Sequence, residues 1–321
     1  MKVLSLIALF AFTCNAFAQH AVVLNSRDAN LSVIDIKTGA VTTSKTVGKE
    51  PHHLYPSPDG KQLWVANAQS DDLVRVDPKT GEFLQRVKGI IDPYQLAFTS
   101  DNQWFVSIAL RLGRVDIYKP GADGSFKLIK KLAVGSGSGS MPSHVVFSAD
   151  NKTAFVTLQA DDALVAIDLA TQTVLWETPL GKAPAGLWLT PAGLVLVGIM
   201  GENYVQVVDP AKRSTVKKII TQPGAHAFRG LGDGKVVFVS NRDSKSISAI
   251  DMDKLIVLYD IKTDSGPDCM DVSADMKTLW VTNRWARKVS AIDIASRKTI
   301  QQYAVGNSPH GVFLTERSPL K

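Results

Sequence analysis

Six histidines occur in this 321-residue chain, and five of them, His52, His53, His144, His226 and His310, stand just after a recurring Pro or Gly that opens a short apolar segment. Neutral imidazole ligates zinc, copper and iron, so imidazoles repeated around one axis are suited to holding a transition metal or haem iron, with His53, His144, His226 and His310 as candidate ligands. The same imidazoles are equally suited to hydrogen bonding along a channel wall. A second set is basic. Arg27, Arg242, Arg284 and Arg287 fall in polar loops, and Arg229 follows His226 by three positions. Guanidinium grips carboxylate or phosphate through two parallel hydrogen bonds, so these residues and the five histidines form the predicted site for an anionic ligand or partner. Trp285, set between Arg284 and Arg287, has the flat face needed to stack a planar ring, which makes single-stranded nucleic acid a lesser expectation.

Other chemistries are excluded or lack a motif. There is no C-x-x-C-H for covalent haem, no H-E-x-x-H for a preformed zinc site and no G-x-S-x-G for a serine nucleophile. Cys269 next to Asp268 reads as a buried, inert thiol. The formal charge of +6 favours anionic partners mildly, without the basic run of a nucleic-acid-binding tail.

The elements that must position these residues repeat. Openings fall at Pro51, Pro93, Pro142, Pro184, Gly224, Pro267 and Pro309, 40 to 49 residues apart, which is the spacing of propeller blades. Each of the first six leads through an apolar segment to a turn, as in Ser57-Pro58-Asp59-Gly60, and then to an apolar second strand such as Leu63-Trp64-Val65. Third strands are predicted to end on Asp77, Asp116, Asp168, Asp209, Asp251 and Asp293, and the outermost strands are more polar. The chain before Pro51 lacks a first strand, and the chain after Pro309 supplies only a first strand. Joined, they make a seventh blade. The expectation is an all-β seven-bladed β-propeller of four-stranded blades, closed by pairing the C-terminal strand with the N-terminal blade. The strand starts and the loops between second and third strands then converge on one channel face. The Gly-Ser run from Gly135 to Ser140 is expected to be a flexible surface loop.

The Pro-His-x-x-x-x-Ser-Pro-Asp-Gly-Lys pattern at Pro51 to Lys61, and Trp280-Val281-Thr282-Asn283 followed by Val289-Ser290-Ala291-Ile292-Asp293, resemble the repeat of the YVTN-type β-propellers, which include the periplasmic YncE-like proteins. The resemblance spans essentially the whole chain after the leader. Relatives of this kind include binding proteins, haem-binding propeller domains and lactonases. It therefore implies a non-enzymatic binding protein, with a haem- or metal-binding accessory protein akin to the propeller of cytochrome nitrite reductases, or a lactonase-like hydrolase, as alternatives.

Residues 1–18 read as a secretory signal: Lys2, an apolar run from Val3 to Phe12, and Ala16-Phe17-Ala18 as the cleavage motif. That run is too short to span a bilayer, no second one follows, and the rest, 19–321, is expected to be a single propeller domain, monomeric and periplasmic or secreted. Removal of the leader takes Cys14 with it and leaves Cys269 alone, so no disulfide can staple the fold. The exported chain is expected to begin at Gln19; its intact mass measures this, and a periplasmic protein that retains Met1 would contradict it.

Overall fold

The computed structural model describes residues 19–43, 46–60 and 62–320. The predicted signal 1–18, with Cys14, and Lys61 of the repeat pattern lie outside the described residues.

Local chemistry sets the hairpins. Ser57, Thr99, Ser148 and Ser273 each donate a hydroxyl hydrogen bond of 2.6 Å to the Asp two positions on, closing the turn between first and second strands. At the end of the third strand an Asp carboxylate accepts main-chain N–H groups of the next turn. Asp35 does so from Lys37 and Thr38, and Asp77, Asp168, Asp209, Asp251 and Asp293 act alike. Asp116 does not. Its strand runs on to Pro120, and Asp116 is buried, accepting from Arg114 Nε at 2.8 Å, because residues two apart share one face of a strand. The turn there is closed by Asp123, which accepts from the Ser125 N–H.

Numbered in chain order, the described residues form twenty-eight strands in seven four-stranded antiparallel sheets. The innermost are β4 (Pro51–Pro56), β8 (Pro93–Phe98), β12 (Pro142–Phe147), β16 (Pro184–Leu189), β20 (Ala225–Gly230), β24 (Pro267–Val272) and β28 (Pro309–Leu314). Sheet order β28-β1-β2-β3, with β1 (His20–Asn25), β2 (Asn30–Asp35) and β3 (Val41–Thr43), closes the ring through the two ends of the chain. The core lies between neighbouring sheets. Val22, Leu24 and Phe313 of the closing sheet pack with Leu63, Val65 and Val74 of the next. No helix among the described residues is long and apolar enough to cross a membrane.

Two backbone devices recur at every innermost strand. The residue before it is left-handed in all seven cases: Glu50, Asp92, Met141, Ala183, Gly224, Gly266 and Ser308, with φ between +51° and +87°. A β-bulge follows immediately after the first residue. This register corrects the opening assigned to Gly224. Ala225 pairs with Asn241 as Pro51 pairs with Asn67, and Gly224 is the left-handed residue before it. The Gly-Ser run is also not a free loop. Gly137–Gly139 form a 3-10 turn, Ser136 is tied to Asp161 through N–H and hydroxyl bonds of 2.8 and 2.6 Å, and Ser140 is fully buried.

Closure by β28 makes Phe313 a keystone side chain. Phe313→Ala is expected to destabilise the protein by about 3–5 kcal/mol, read as a lowered Tm in thermal unfolding, and an unchanged Tm would show that the closing strand is not needed.

Candidate functional site

The bulge turns the second and third residues of each innermost strand into the channel. The first register holds His52, Tyr94, Ser143, Ala185, His226, Asp268 and His310 in ring order; the second holds His53, Gln95, His144, Gly186, Ala227, Cys269 and Gly311. The five histidines therefore stand in two adjacent layers. All are buried, with their rings packed on one another: His52 and His310 at 3.8 Å between centroids, His53 and His310 at 4.7 Å, His53 and His144 at 5.6 Å, and His144 and His226 at 5.3 Å. One nitrogen each from His52, His53 and His310 lies within 4.8 Å of the others, a grouping that omits His144 and His226 and includes His52.

Asp268 is the residue that the sequence reading passed over. It shares the register of His52 and His310, so the signal was its place one residue after Pro267. It is fully buried between two imidazoles, 3.1 Å from His226 Nδ1 and 3.5 Å from His310 Nε2. Its Oδ2 accepts a 2.7 Å bond from Arg242 Nη2, with Arg284 Nη1 at 3.5 Å.

Burial alone would raise the Asp268 carboxyl; Arg242, His310 and His226 together hold it well below the usual carboxylate range. Burial drives His52, His53 and His144 well below their ordinary value and lowers His226, and it takes His310 to about 3 against the pull of Asp268. The imidazoles are therefore neutral. Burial, with Asp268 adjacent, pushes the Cys269 thiol well above its usual range, so it is no ready nucleophile.

Above this layer the arginines divide. Arg242 and Arg284 lean into the channel on Asp268. Arg284 also donates from Nε to Ser308 Oγ at 2.8 Å, and it forms the floor of a cleft of about 270 Å³ whose other walls are Arg27, Trp285, Arg287, Asn307 and Ser308. Trp285 is 55% exposed and lies against Gly266, where an added Cβ would stand 2.7 Å from the indole, so one face is backed by main chain and the other is open. Asn307 is held by both carboxylate oxygens of Asp28, which are thereby occupied. Among the described residues, neither Arg27 nor Arg287 has a carboxylate within the 4.0 Å of an ion pair.

Arg229 is not part of this face. It is buried three residues further along β20, donating to Asp271 at 2.8 Å and to the Ser318 and Pro319 carbonyls, where it anchors the C-terminal segment. Strand length, about 3.3 Å per residue, carries it away from the mouth. Neither the Arg27–Trp285 cleft nor a second cleft of about 370 Å³ beside Met200, Glu202 and Asp243 is lined by histidine.

A propeller of seven such blades, with its polar groups gathered at one channel mouth, defines the class. The chain belongs to the YNCE-like beta-propeller family, whose model matches residues 4–320. No curated protein matches it significantly in sequence. Solved structures share its fold. The periplasmic gluconolactonase of Pseudomonas aeruginosa is 18% identical, with 94% of this chain and 100% of that one covered and a TM-score of 0.74. A putative 6-phosphogluconolactonase of Bacteroides fragilis is 17% identical over 94% and 99%, with a TM-score of 0.76. A dihydro-haem d1 dehydrogenase is 15% identical over 92% and 74%, with a TM-score of 0.66. At these identities the likeness is one of fold.

Two outcomes follow from the buried layer. Asp268→Asn strands Arg242 and Arg284 without their carboxylate and is expected to cost about 3–5 kcal/mol in urea unfolding; a loss below 1 kcal/mol would contradict the charge balance. Stability should also fall in acid. In the window from about 6.5 down to about 3 the unfolded chain protonates its histidines while His310 stays neutral and its buried neighbours resist protonation, so the unfolded state binds more protons and stability declines as pH drops. Asp268, depressed by Arg242 and the flanking imidazoles, adds to the same slope below 3.8. Tm measured from pH 8 to pH 4 checks this, and a flat profile would refute it.

Proposed function

We propose that this is an exported, non-enzymatic binding protein that takes an anionic ligand, or an acidic group of a protein partner, at the channel mouth. The observation that carries the proposal is the cleft of Arg27, Arg284, Trp285 and Arg287. It joins two guanidiniums that make no close ion pair among the described residues, Arg287 meeting the Asp28 carboxylate only through its longer-range field, to an open indole face. These exposed guanidiniums are well placed to grip a carboxylate or phosphate, while Trp285 covers the flat or apolar part of the same ligand. The signal-like residues 1–18 and the family, which is typically periplasmic, support a periplasmic or secreted location for it.

The gluconolactonase relatives raise lactone hydrolysis as a second reading. Hydrolysis needs a base or an activated nucleophile facing the substrate. The cleft is lined by arginines, Trp285, Asn307 and Ser308, and Ser308 Oγ accepts from Arg284 rather than giving its proton to a base. The lining favours holding an anion over cleaving an ester.

Titration of sugar acids, dicarboxylates and sugar phosphates, followed by quenching of Trp285 fluorescence and by calorimetry, tests the proposal. Binding should weaken with added salt and fall about tenfold or more in Arg27→Ala and in Arg287→Ala, as the loss of a charge-assisted hydrogen bond requires. Salt-independent binding, or full affinity in both variants, would overturn it. Turnover of a lactone panel would favour the hydrolase.

A further inference from the structure

We propose that His52, His53 and His310 form a binding site for a copper(I) ion, separate from the anion cleft and independent of it. The three rings are 2%, 6% and 0% exposed and come from two adjacent innermost strands, β4 and β28. One nitrogen of each lies within 4.8 Å of the others. Imidazoles about 2.0 Å from a shared ion stand roughly 3.3 to 3.5 Å apart, a closure that small side-chain rotations supply.

Buried polar atoms in folded proteins are as a rule hydrogen-bonded, and each exception calls for a reason. Here His52 Nδ1, His53 Nε2 and His310 Nε2 have no protein hydrogen-bond partner. His144 Nε2 and both nitrogens of His226 are likewise unpartnered, but among the described residues only His52, His53 and His310 bring three such rings together within 4.8 Å. His310 is also oriented as a ligand: its Nδ1 lies 2.7 Å from the main-chain carbonyl of His52, which only accepts, so Nδ1 carries the proton and Nε2 keeps its lone pair. That lone pair faces an Asp268 carboxylate oxygen at 3.5 Å, two electron-rich atoms turned towards one another, which is an arrangement a cation relieves.

Charge and softness choose the ion. Asp268 brings one negative charge and Arg242 and Arg284 bring two positive ones, all within 3.5 Å. A dication adds most to this surplus, whereas copper(I) adds least and accepts neutral imidazoles. Cys269, grouped with Asp268 and His310 within 4.8 Å, places a soft sulfur beside the site. The two arginines thus argue against a highly charged ion.

The test uses the purified, anaerobic protein and copper(I) held by a chromophoric chelator. The wild type is expected to withdraw one equivalent per chain and to gain thermal stability on loading. Both effects should be lost in His52→Ala and His53→Ala and kept in His144→Gln and His226→Gln, with circular dichroism of the metal-free variants confirming that each is folded. X-ray absorption of the loaded wild type gives a second readout that needs no variant, and three imidazole scatterers are expected. No withdrawal by the wild type, undiminished withdrawal by both alanine variants, equal loss in His144→Gln, or a spectrum with fewer than two imidazoles would overturn the site. Preferential capture of zinc(II) in competition would overturn the choice of ion.

Discussion

Seven strands that begin at one level around a common axis leave little room between them, and the way the chain enters those strands governs everything that faces the channel. Entry is made by a left-handed residue followed by a bulge, repeated seven times. Six of the seven first residues are Pro, whose fixed φ suits a strand start that needs no N–H in the ladder. The bulge then points two consecutive side chains inward where a regular strand would point one. Crowding is relieved where side chains are smallest. At Gly186 a Cβ would stand 2.1 Å from the His226 carbonyl oxygen, so β16 can approach β20 only without a side chain there. Large rings on one side of the axis and small residues on the other fill the same cross-section.

Within that space Asp268 sets the electrostatics. A buried carboxylate is tolerable only when paired, and Asp268 is paired with Arg242 and flanked by His226 and His310. The pairing draws the two arginines from their loops down into the mouth. Arg284, held at once by Asp268 and Ser308, becomes the common wall of the buried layer and of the exposed cleft above it. The channel is therefore graded, from a neutral imidazole layer through one carboxylate to a positive rim.

Arginine plays opposite parts in the same fold. Arg229 is spent entirely on Asp271 and on the carbonyls of the C-terminal segment, next to β28 and the ring closure, whereas Arg27 and Arg287 at the other end are left for solvent or a ligand. Burial and the supply of acceptors separate the two uses, not residue type.

Much of the fold was legible in the sequence because its signals are local. Turn residues such as Ser57-Pro58-Asp59-Gly60 and Asp77 act on their own neighbours, and the two half-blades at the chain ends could be joined by inspection. The errors also have local causes. Gly224 looked like an opening because Gly and Pro both punctuate strands, but its φ of +87° makes it the residue before one; Asp116 looked like a strand end because its pairing with Arg114 is invisible without the strand's face. The sequence by itself determined the repeat, the closure and the candidates that gather at one mouth, since periodicity and turn chemistry are properties of short segments. Only the tertiary structure decided which of them meet. It joined His52 and His53 to His310, put Asp268 between His226 and His310, sent Arg229 to the far end, and set Arg27 beside Trp285 and Arg287, because these contacts join residues from different blades whose distance depends on the closed ring.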